Sequence, residues 1–195
     1  MQRILAIAAH QPLVRPRDVE AQGIARESLL RLYRQGFLVR QARGVYALPG
    51  SPVTEHHSLA VASKLVPRGI ICLLSALRFH GLTTQDPHEV WMAVDFKARK
   101  PSLVSPALRV VRFSGQALAE GVEKHDIEGV QVLVYGVAKT VADCFKYRNK
   151  IGIDVAVEAL RDALRARSAT VDDIHRFAKI RRVSNVIRPY LEAMV

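Results

Sequence analysis

The stretch PRDVEAQGIARESLLRLYRQGFLVRQARGVYAL, residues 16–48, decides the fold of the first part of the chain. Its leading proline suits the first turn of a helix, where no N–H donor is needed, and Gly23 supplies a stop for that helix. Residues 25–36 have helical spacing and close at a glycine. Residues 37–48 contain two short apolar runs around an Arg-Gly turn, which is typical of a β-hairpin.

A further helix is predicted upstream, over residues 2–10, because the apolar positions there fit one side of a 3.6-residue period. Three helices followed by a hairpin predict a winged helix-turn-helix, in which the third helix lies in the major groove of DNA. We place this DNA-binding domain at residues 1–50. A short Pro-Gly-Ser-Pro linker at residues 49–52 follows it.

The third helix has an apolar face and a polar face. On a wheel of about 100° per residue, Leu29, Leu30 and Tyr33 cluster on one side, and Phe37 continues that side. The opposite side combines hydrogen-bonding and cationic side chains that suit base edges and phosphates. Its members are Glu27, Ser28, Arg31, Arg34 and Gln35. A solvated amphipathic helix would have a similar pattern, so the hairpin that follows is needed to favour DNA reading.

Charge supports a polyanionic partner. The chain has 29 lysines and arginines against 18 acidic residues, a net charge of +11. Residues 1–50 carry +5 of this, and all eight of their cations are arginines, whose planar guanidinium suits bidentate contacts with phosphate or guanine. The alternative is a solvated basic face without a partner. The predicted DNA contacts are Arg15, Arg17, Arg26, Ser28, Arg31, Arg34, Gln35, Arg40, Gln41 and Arg43.

Residues 53–195 have mixed α and β patterns, with helices dominating the end. The chain is therefore predicted to be α+β, a winged helix-turn-helix followed by a mixed α/β domain that ends in helices. Predicted strands span residues 89–95, 108–113 and 131–135. Predicted helices span residues 54–65 with Thr54 as the cap, 137–148, 154–167, 171–182 and 185–194, with Pro189 as a kink or start.

Two further basic stretches lie in this second domain. One is the loop at residues 97–101, and the other is the set Arg176, Lys179, Arg181 and Arg182. A solvated surface is the simpler interpretation of both, and auxiliary contacts with phosphate are the alternative.

Several segments resemble the AbiEi family of antitoxins. Residues 23–49 are similar to the family's N-terminal domain, while LSALRFHGLT at residues 74–83, VWMAV at 90–94 and AKTVADCF at 138–145 resemble its second domain. The resemblance implies an antitoxin that represses its own operon by binding repeats in promoter DNA. It also implies a nucleotidyltransferase-like toxin as the functional partner, and makes residues 53–195 the antitoxin domain.

Common catalytic motifs are missing from the sequence. There is no G-x-x-x-x-G-K-S/T loop, G-x-G-x-x-G, G-x-S-x-G or H-E-x-x-H, and no D-x-D follows Gly50-Ser51 as a nucleotidyltransferase would need. Asp126 and Glu128 fit a hairpin turn, and Asp172-Asp173 fit a helix start, where carboxylates are favoured. We expect no catalytic site and no cofactor.

A metal site is not expected either. The histidines and acids at positions 56, 57, 80, 86 and 88 do not have the i, i+4 spacing of a helix-borne zinc site. Cys72 and Cys144 are far apart among apolar neighbours, so both are predicted to be buried free thiols. His80 before Gly81 suits a helix C-terminus, and Trp91 suits a strand in the core.

The sequence has no apolar stretch of the roughly 20 residues that a spanning helix needs, and the apolar run at residues 4–9 is short for a signal peptide. We therefore expect a cytoplasmic protein without a membrane partner. The leading hypothesis is a non-enzymatic autorepressor and antitoxin. The alternatives are a toxin-inhibiting module or toxin-modifying enzyme whose second domain carries the activity, and a transcription factor unrelated to a toxin.

Overall fold

A computed structural model describes residues 2–101 and 105–194 of the chain. These residues divide into two compact units. Unit 1 comprises residues 2–67, 105–108 and 125–132, and unit 2 comprises residues 68–101, 109–124 and 133–194. The fold is α+β, as predicted: a winged helix-turn-helix precedes a mixed sheet and a series of helices.

Unit 1 begins with the winged helix-turn-helix. Its elements are α1 (Gln2–His10), α2 (Pro16–Glu20), α3 (Arg26–Arg34), β1 (Val39–Ala42), β2 (Val45–Ala47) and, after the wing, α4 (His57–Leu65). Pro16 stands at the start of α2. Gly23 and Gly36 take left-handed φ values of +71° and +81°, which a side chain would disfavour, and they end α2 and α3 where the sequence predicted.

The core of the winged helix-turn-helix corrects the predicted apolar face of α3. Leu29 and Leu32 are buried, whereas Tyr33 and Phe37 keep 38% and 48% of their surface exposed. Leu32 lies about 60° to one side of Leu29 on the helix and Tyr33 about 40° to the other, so either could have faced inward. The core is on the Leu32 side, where Ile4, Ala8, Val14, Val19, Leu38 and Tyr46 complete it.

The wing is the antiparallel hairpin of β1 and β2. Val39 pairs with Ala47 and Arg40 with Tyr46, and the register shifts between Arg40 and Ala42. The segment before α2 also joins it, because the amide and carbonyl of Val14 exchange hydrogen bonds of 2.8 and 2.9 Å with those of Tyr46. The segment at Val14 therefore adds a third extended segment beside β2 and anchors the wing.

The second sheet has five strands in the order β5-β4-β3-β7-β6. They are β3 (Ile70–Ile71), β4 (Val90–Asp95), β5 (Leu108–Phe113), β6 (Val122–Ile127) and β7 (Val130–Tyr135). β3 is antiparallel to β4 and parallel to β7. The sequence predicted β4, β5 and β7 but missed β3, which has two residues, and β6, whose VEKHDI sequence is mostly polar.

The helices of unit 2 are α5 (Leu73–Phe79), α6 (Gln116–Ala119), α7 (Val137–Lys146), α8 (Arg148–Ile151), α9 (Ile153–Arg165), α10 (Val171–Arg181) and α11 (Ser184–Glu192). They share one apolar core with the sheet, which includes Trp91 and both free cysteines. Burial raises the pKa of Cys72 and of Cys144 well above the ordinary value of a thiol. The predictions for Trp91 and the cysteines are therefore confirmed.

Two predicted helix details were wrong. The helix predicted over residues 137–148 breaks near Tyr147 into α7 and α8. Pro189, predicted as a kink or a start, lies inside α11. Thr54 does not cap α4, which begins at His57, because the Thr54 hydroxyl accepts the amide N–H of His56 and donates to the carboxylate of Glu128.

Candidate nucleic-acid interface

A cationic cleft lies in unit 1 at the N-terminal ends of α2 and α3 and the tip of the wing. It has a volume of about 350 Å³. Four of the ten predicted DNA contacts come together here, since the lining residues are Arg15, Pro16, Arg17, Glu20, Arg26, Arg43, Gly44 and Leu65. The N-terminus of α3 carries partial positive charge and adds to the attraction that the guanidinium groups exert on a phosphate. The start of α2 adds less, because Pro16 has no N–H and the Asp18 carboxylate lies there.

Arg15 differs from the other arginines of the cleft because its paired charge is largely buried, whereas the ion pair that Arg26 makes with Glu27, at 3.2 Å, is exposed. Its Nη2 lies 2.9 Å from Oδ1 of Asp18, and its Nη1 donates to the main-chain carbonyl of Lys64. The Asp18 carboxylate also accepts the amide N–H of Arg15 at 2.9 Å, which closes the first turn of α2. Arg15 therefore shapes the wall of the cleft, whereas Arg17 and Arg43 are exposed at its mouth.

Lys64, in the last turn of α4, completes this network. Its Nζ lies 3.1 Å from Oδ2 of Asp18, and both side chains are largely buried. Burial would raise the pKa of Asp18, but hydrogen bonds from Arg15 and Lys64 outweigh it and lower that pKa below the ordinary value. Burial lowers the pKa of Lys64, and the Asp18 carboxylate opposes that shift.

The remaining predicted contacts lie on α3 and the wing. Arg31, Arg34 and Gln35 are exposed along α3, and Ser28 is half-buried. On β1, Arg40 is exposed with its Nε 3.3 Å from the carbonyl oxygen of Ala42, and Gln41 is half-buried. The polar face of α3 is therefore solvent-accessible along most of its length, as a helix that enters a groove requires.

An aromatic contact connects this helix to the wing. The rings of Tyr33 and Tyr46 lie 5.4 Å apart, at an angle of 56°. Tyr46 is the same residue that pairs with Val14 and with Arg40 in the wing. The orientation of α3 is thus coupled through Tyr46 to the strands beside it.

Sequence reasoning predicted the helix beyond the wing but missed its contact with the start of α2. Lys64 is 49 positions from Arg15, a separation that no local pattern reveals. The sequence did contain one signal, a single lysine in the helix HSLAVASKL, most of whose residues are buried. A lysine that is buried in such a helix needs an acidic partner, and Asp18 is that partner.

A second missed contact fastens the tip of the β6–β7 hairpin. The carboxylate of Glu128 accepts the amide N–H and the hydroxyl of Thr54 at 2.7 and 2.9 Å, and lies 2.6 Å from Nδ1 of His57. Asp126 accepts the amide N–H of Gly129 within the turn. The prediction that both acids have structural roles in a hairpin turn is confirmed.

One of the predicted basic surface sets is only partly on the surface. Arg181 is buried and pairs with the carboxylate of Asp143, which also pairs with the fully buried Lys139. The Lys139 ammonium lies 4.0 Å from the ring centre of Tyr135, so an aromatic face supports it as well. Arg181 therefore belongs to the core of unit 2, whereas Arg176, Lys179 and Arg182 are exposed.

Among residues 2–101 and 105–194, no group of three histidines, cysteines or acids is placed to hold a metal ion. None of the helices described there has both the length and the apolar character needed to cross a bilayer. His80 is the C-cap residue of α5, the position predicted for it, and its Nε2 lies 2.8 Å from the carbonyl oxygen of Tyr135 in β7.

Comparisons with known proteins agree with the resemblance inferred from sequence. Residues 2–49 match a family model described as transcriptional regulator, AbiEi antitoxin. The fold is similar to the crystal structure of RV2827C protein from Mycobacterium tuberculosis, with a TM-score of 0.62 and 17% identity over 90% of this chain and 69% of that chain. At this identity the likeness concerns the fold alone. None of the curated proteins matches the chain.

Proposed function

We propose that the chain binds double-stranded promoter DNA through its winged helix-turn-helix and represses a toxin-antitoxin operon, without a catalytic step of its own. The observation that carries this proposal is the cleft in which Arg17, Arg26 and Arg43 meet at two helix N-termini and the wing tip. The match of residues 2–49 to AbiEi transcriptional regulators supports it.

The proposed mechanism divides the contacts by chemistry. The cleft arginines hold backbone phosphates and give affinity through release of counterions, while Arg31, Arg34 and Gln35 on α3 read base edges in the major groove. Arg40, Gln41 and Arg43 place the wing on the adjacent backbone or minor groove. Repeats in the promoter would position successive copies, and bound protein would then occlude the promoter.

A salt titration on a promoter fragment tests this proposal. If about five phosphates are neutralised, the logarithm of the binding constant falls against the logarithm of salt concentration with a slope of about −4 to −5. A slope near zero would remove the electrostatic basis of the proposal. Matched titrations on DNA of random sequence separate operator reading from general attraction to the backbone.

The antitoxin role is proposed for residues 53–195, with a nucleotidyltransferase-like toxin as the functional partner. The family model that matches residues 2–49 is described as an AbiEi antitoxin, which supports this role. The described part of residues 53–195 also contains a five-stranded sheet and eight helices, more than repression alone would need. The test is growth of cells that express the neighbouring toxin from an independent promoter, which removes repression as a route to protection. Absence of rescue by the full chain would contradict the role.

A further inference from the structure

Unit 2 carries a short basic turn that the proposed function does not use. This turn, residues 95–100, follows β4 and is called here the basic aromatic turn. Its backbone is firmly held: Nη1 of Arg112 donates to the carbonyl oxygens of Asp95, Phe96 and Ala98 at 3.1, 2.8 and 2.8 Å. The Asp95 carboxylate accepts the amide N–H of Lys97 at 2.7 Å. One guanidinium and one carboxylate therefore fix its shape.

The fixed backbone presents an aromatic ring to solvent. Phe96 keeps 67% of its surface exposed, although its amide N–H bonds to the carbonyl oxygen of Phe113 at 2.9 Å. Phe96 is thus anchored through its main chain while its side chain contributes little to the core. A single exposed apolar residue is common on protein surfaces and does not indicate a binding site by itself. The side chains around Phe96 therefore determine which ligand it could bind.

Those neighbours are cations. Lys97, Arg99 and Lys100 are all exposed within four positions of Phe96. The nearest acid, Asp95, has its carboxylate engaged with the amide of Lys97, and Arg112 is engaged with three carbonyls. The turn therefore combines one flat apolar ring with three exposed positive charges.

We propose that the basic aromatic turn is a second nucleic-acid contact, in which Lys97, Arg99 and Lys100 hold backbone phosphates and the Phe96 ring stacks on a base. Stacking on an aromatic ring and phosphate neutralisation are the two interactions that single-strand binding combines. A ring flanked by cations also suits insertion at a base step of a duplex, at the cost of unstacking that step. This contact lies in unit 2 and does not depend on the function proposed for unit 1.

A membrane surface fits these residues less well. Loops and helices that bind at bilayer interfaces bury several apolar side chains along one face, whereas this turn offers only Phe96. The three cations would be attracted to anionic lipid, so anionic vesicles are the proper comparison.

The experiment uses the full chain in which Arg17, Arg26 and Arg43 are changed to glutamine, which suppresses binding through the cleft. Phe96→Ala, Phe96→Tyr and the triple variant K97Q/R99Q/K100Q are made in this background. R161Q/R165Q/R167Q, which neutralises three exposed cations in and just after α9, is the matched charge control. Binding is measured to oligothymidine of about 16 nucleotides, to a duplex of equal length and to phosphatidylserine vesicles.

We expect Phe96→Ala to weaken nucleic-acid binding about 5- to 100-fold and Phe96→Tyr to retain it. The triple turn variant should reduce the salt slope by about 2 to 3, and the α9 control should not. The oligonucleotide that shows the larger loss identifies whether a single strand or a duplex is the ligand. Equal effects of the turn and α9 variants, or losses confined to vesicles, would overturn the inference. Thermal melting of each variant excludes unfolding as the cause.

Discussion

The carboxylate of Asp18 in α2 lies 3.1 Å from the ammonium of Lys64 at the end of α4. This ion pair joins the helix-turn-helix to a helix that follows the wing and its linker. Asp18 also binds Arg15, so a single carboxylate organises the start of α2 and one wall of the cationic cleft. Stability of the candidate DNA-binding surface therefore depends on a residue outside the segment that resembles a DNA-binding domain.

Replacing Lys64 with methionine should lower the free energy of unfolding by about 1 to 3 kcal/mol, because it leaves a largely buried carboxylate with one fewer partner. Urea unfolding measures this. Lys124→Met, at an exposed lysine of β6, is the matched control and should change little. If the two variants lose equal stability, the pair with Asp18 contributes nothing measurable.

A fragment of residues 1–50 should bind DNA weakly and without sequence preference, and should fail to protect cells from the toxin. It lacks Lys64, and so small a domain buries only about 60% of its unfolded surface. A fragment of residues 1–67, which restores α4, should unfold at higher urea concentration. Protection by the shorter fragment would show that residues 53–195 are dispensable for neutralisation.

Arg31→Ala and Arg43→Ala should have different effects on DNA binding. If Arg31 contacts a base edge from α3, its loss should cost about 1 to 3 kcal/mol on the operator and relax preference at one base step. Arg43 at the wing tip should weaken binding to operator and random DNA alike. Equal losses on both DNAs for Arg31→Ala would assign that residue to the backbone.

Glu128→Gln should make stability less sensitive to acid. Burial would raise the pKa of Glu128, but hydrogen bonds from Thr54 and His57 lower it below the ordinary value. Its stabilising contribution is therefore complete above the unfolded pKa of about 4.3, and is lost as pH falls through the lower folded pKa. Unfolding titrations from about pH 6 to pH 3 should show the two proteins converging at the acid end. A constant difference across that range would contradict this.

Asp143→Ala should be among the most destabilising single changes, at about 3 to 5 kcal/mol, because it leaves Lys139 and Arg181 as buried cations without a counterion. Both of those side chains are at most 9% exposed. Asp162→Ala on the surface of α9 serves as control. Chemical denaturation gives both values, and similar losses would show that the buried cluster relaxes easily or admits water.

Local signals in the sequence predicted the winged helix-turn-helix well. Pro16, Gly23 and Gly36 mark helix ends through their own backbone preferences, and these need no knowledge of distant residues. The choice of Leu32 over Tyr33 for the core could not be made in that way. Both flank Leu29 on α3, and only the position of the surrounding core decides between them.

Long-range pairing limited what could be predicted of the rest. β3 has two residues and is a strand only because β4 and β7 pair with it on either side. Arg181 belongs to a basic run in the sequence, but it is buried because it forms an ion pair with Asp143 of α7. Of the candidate interface, the arginines were identifiable from composition, whereas the role of Arg15 in shaping the cleft required the position of Lys64.

Tyr46 pairs with Val14 through its backbone and lies against Tyr33 through its ring, so α3 and the wing have a fixed separation. If unit 1 binds a duplex as proposed, that separation favours DNA of a particular groove width. DNA sequences whose grooves have this width would contact α3 and the wing together, while DNA with wider grooves would have to deform. Selection of binding sites could then extend to base pairs that no side chain touches.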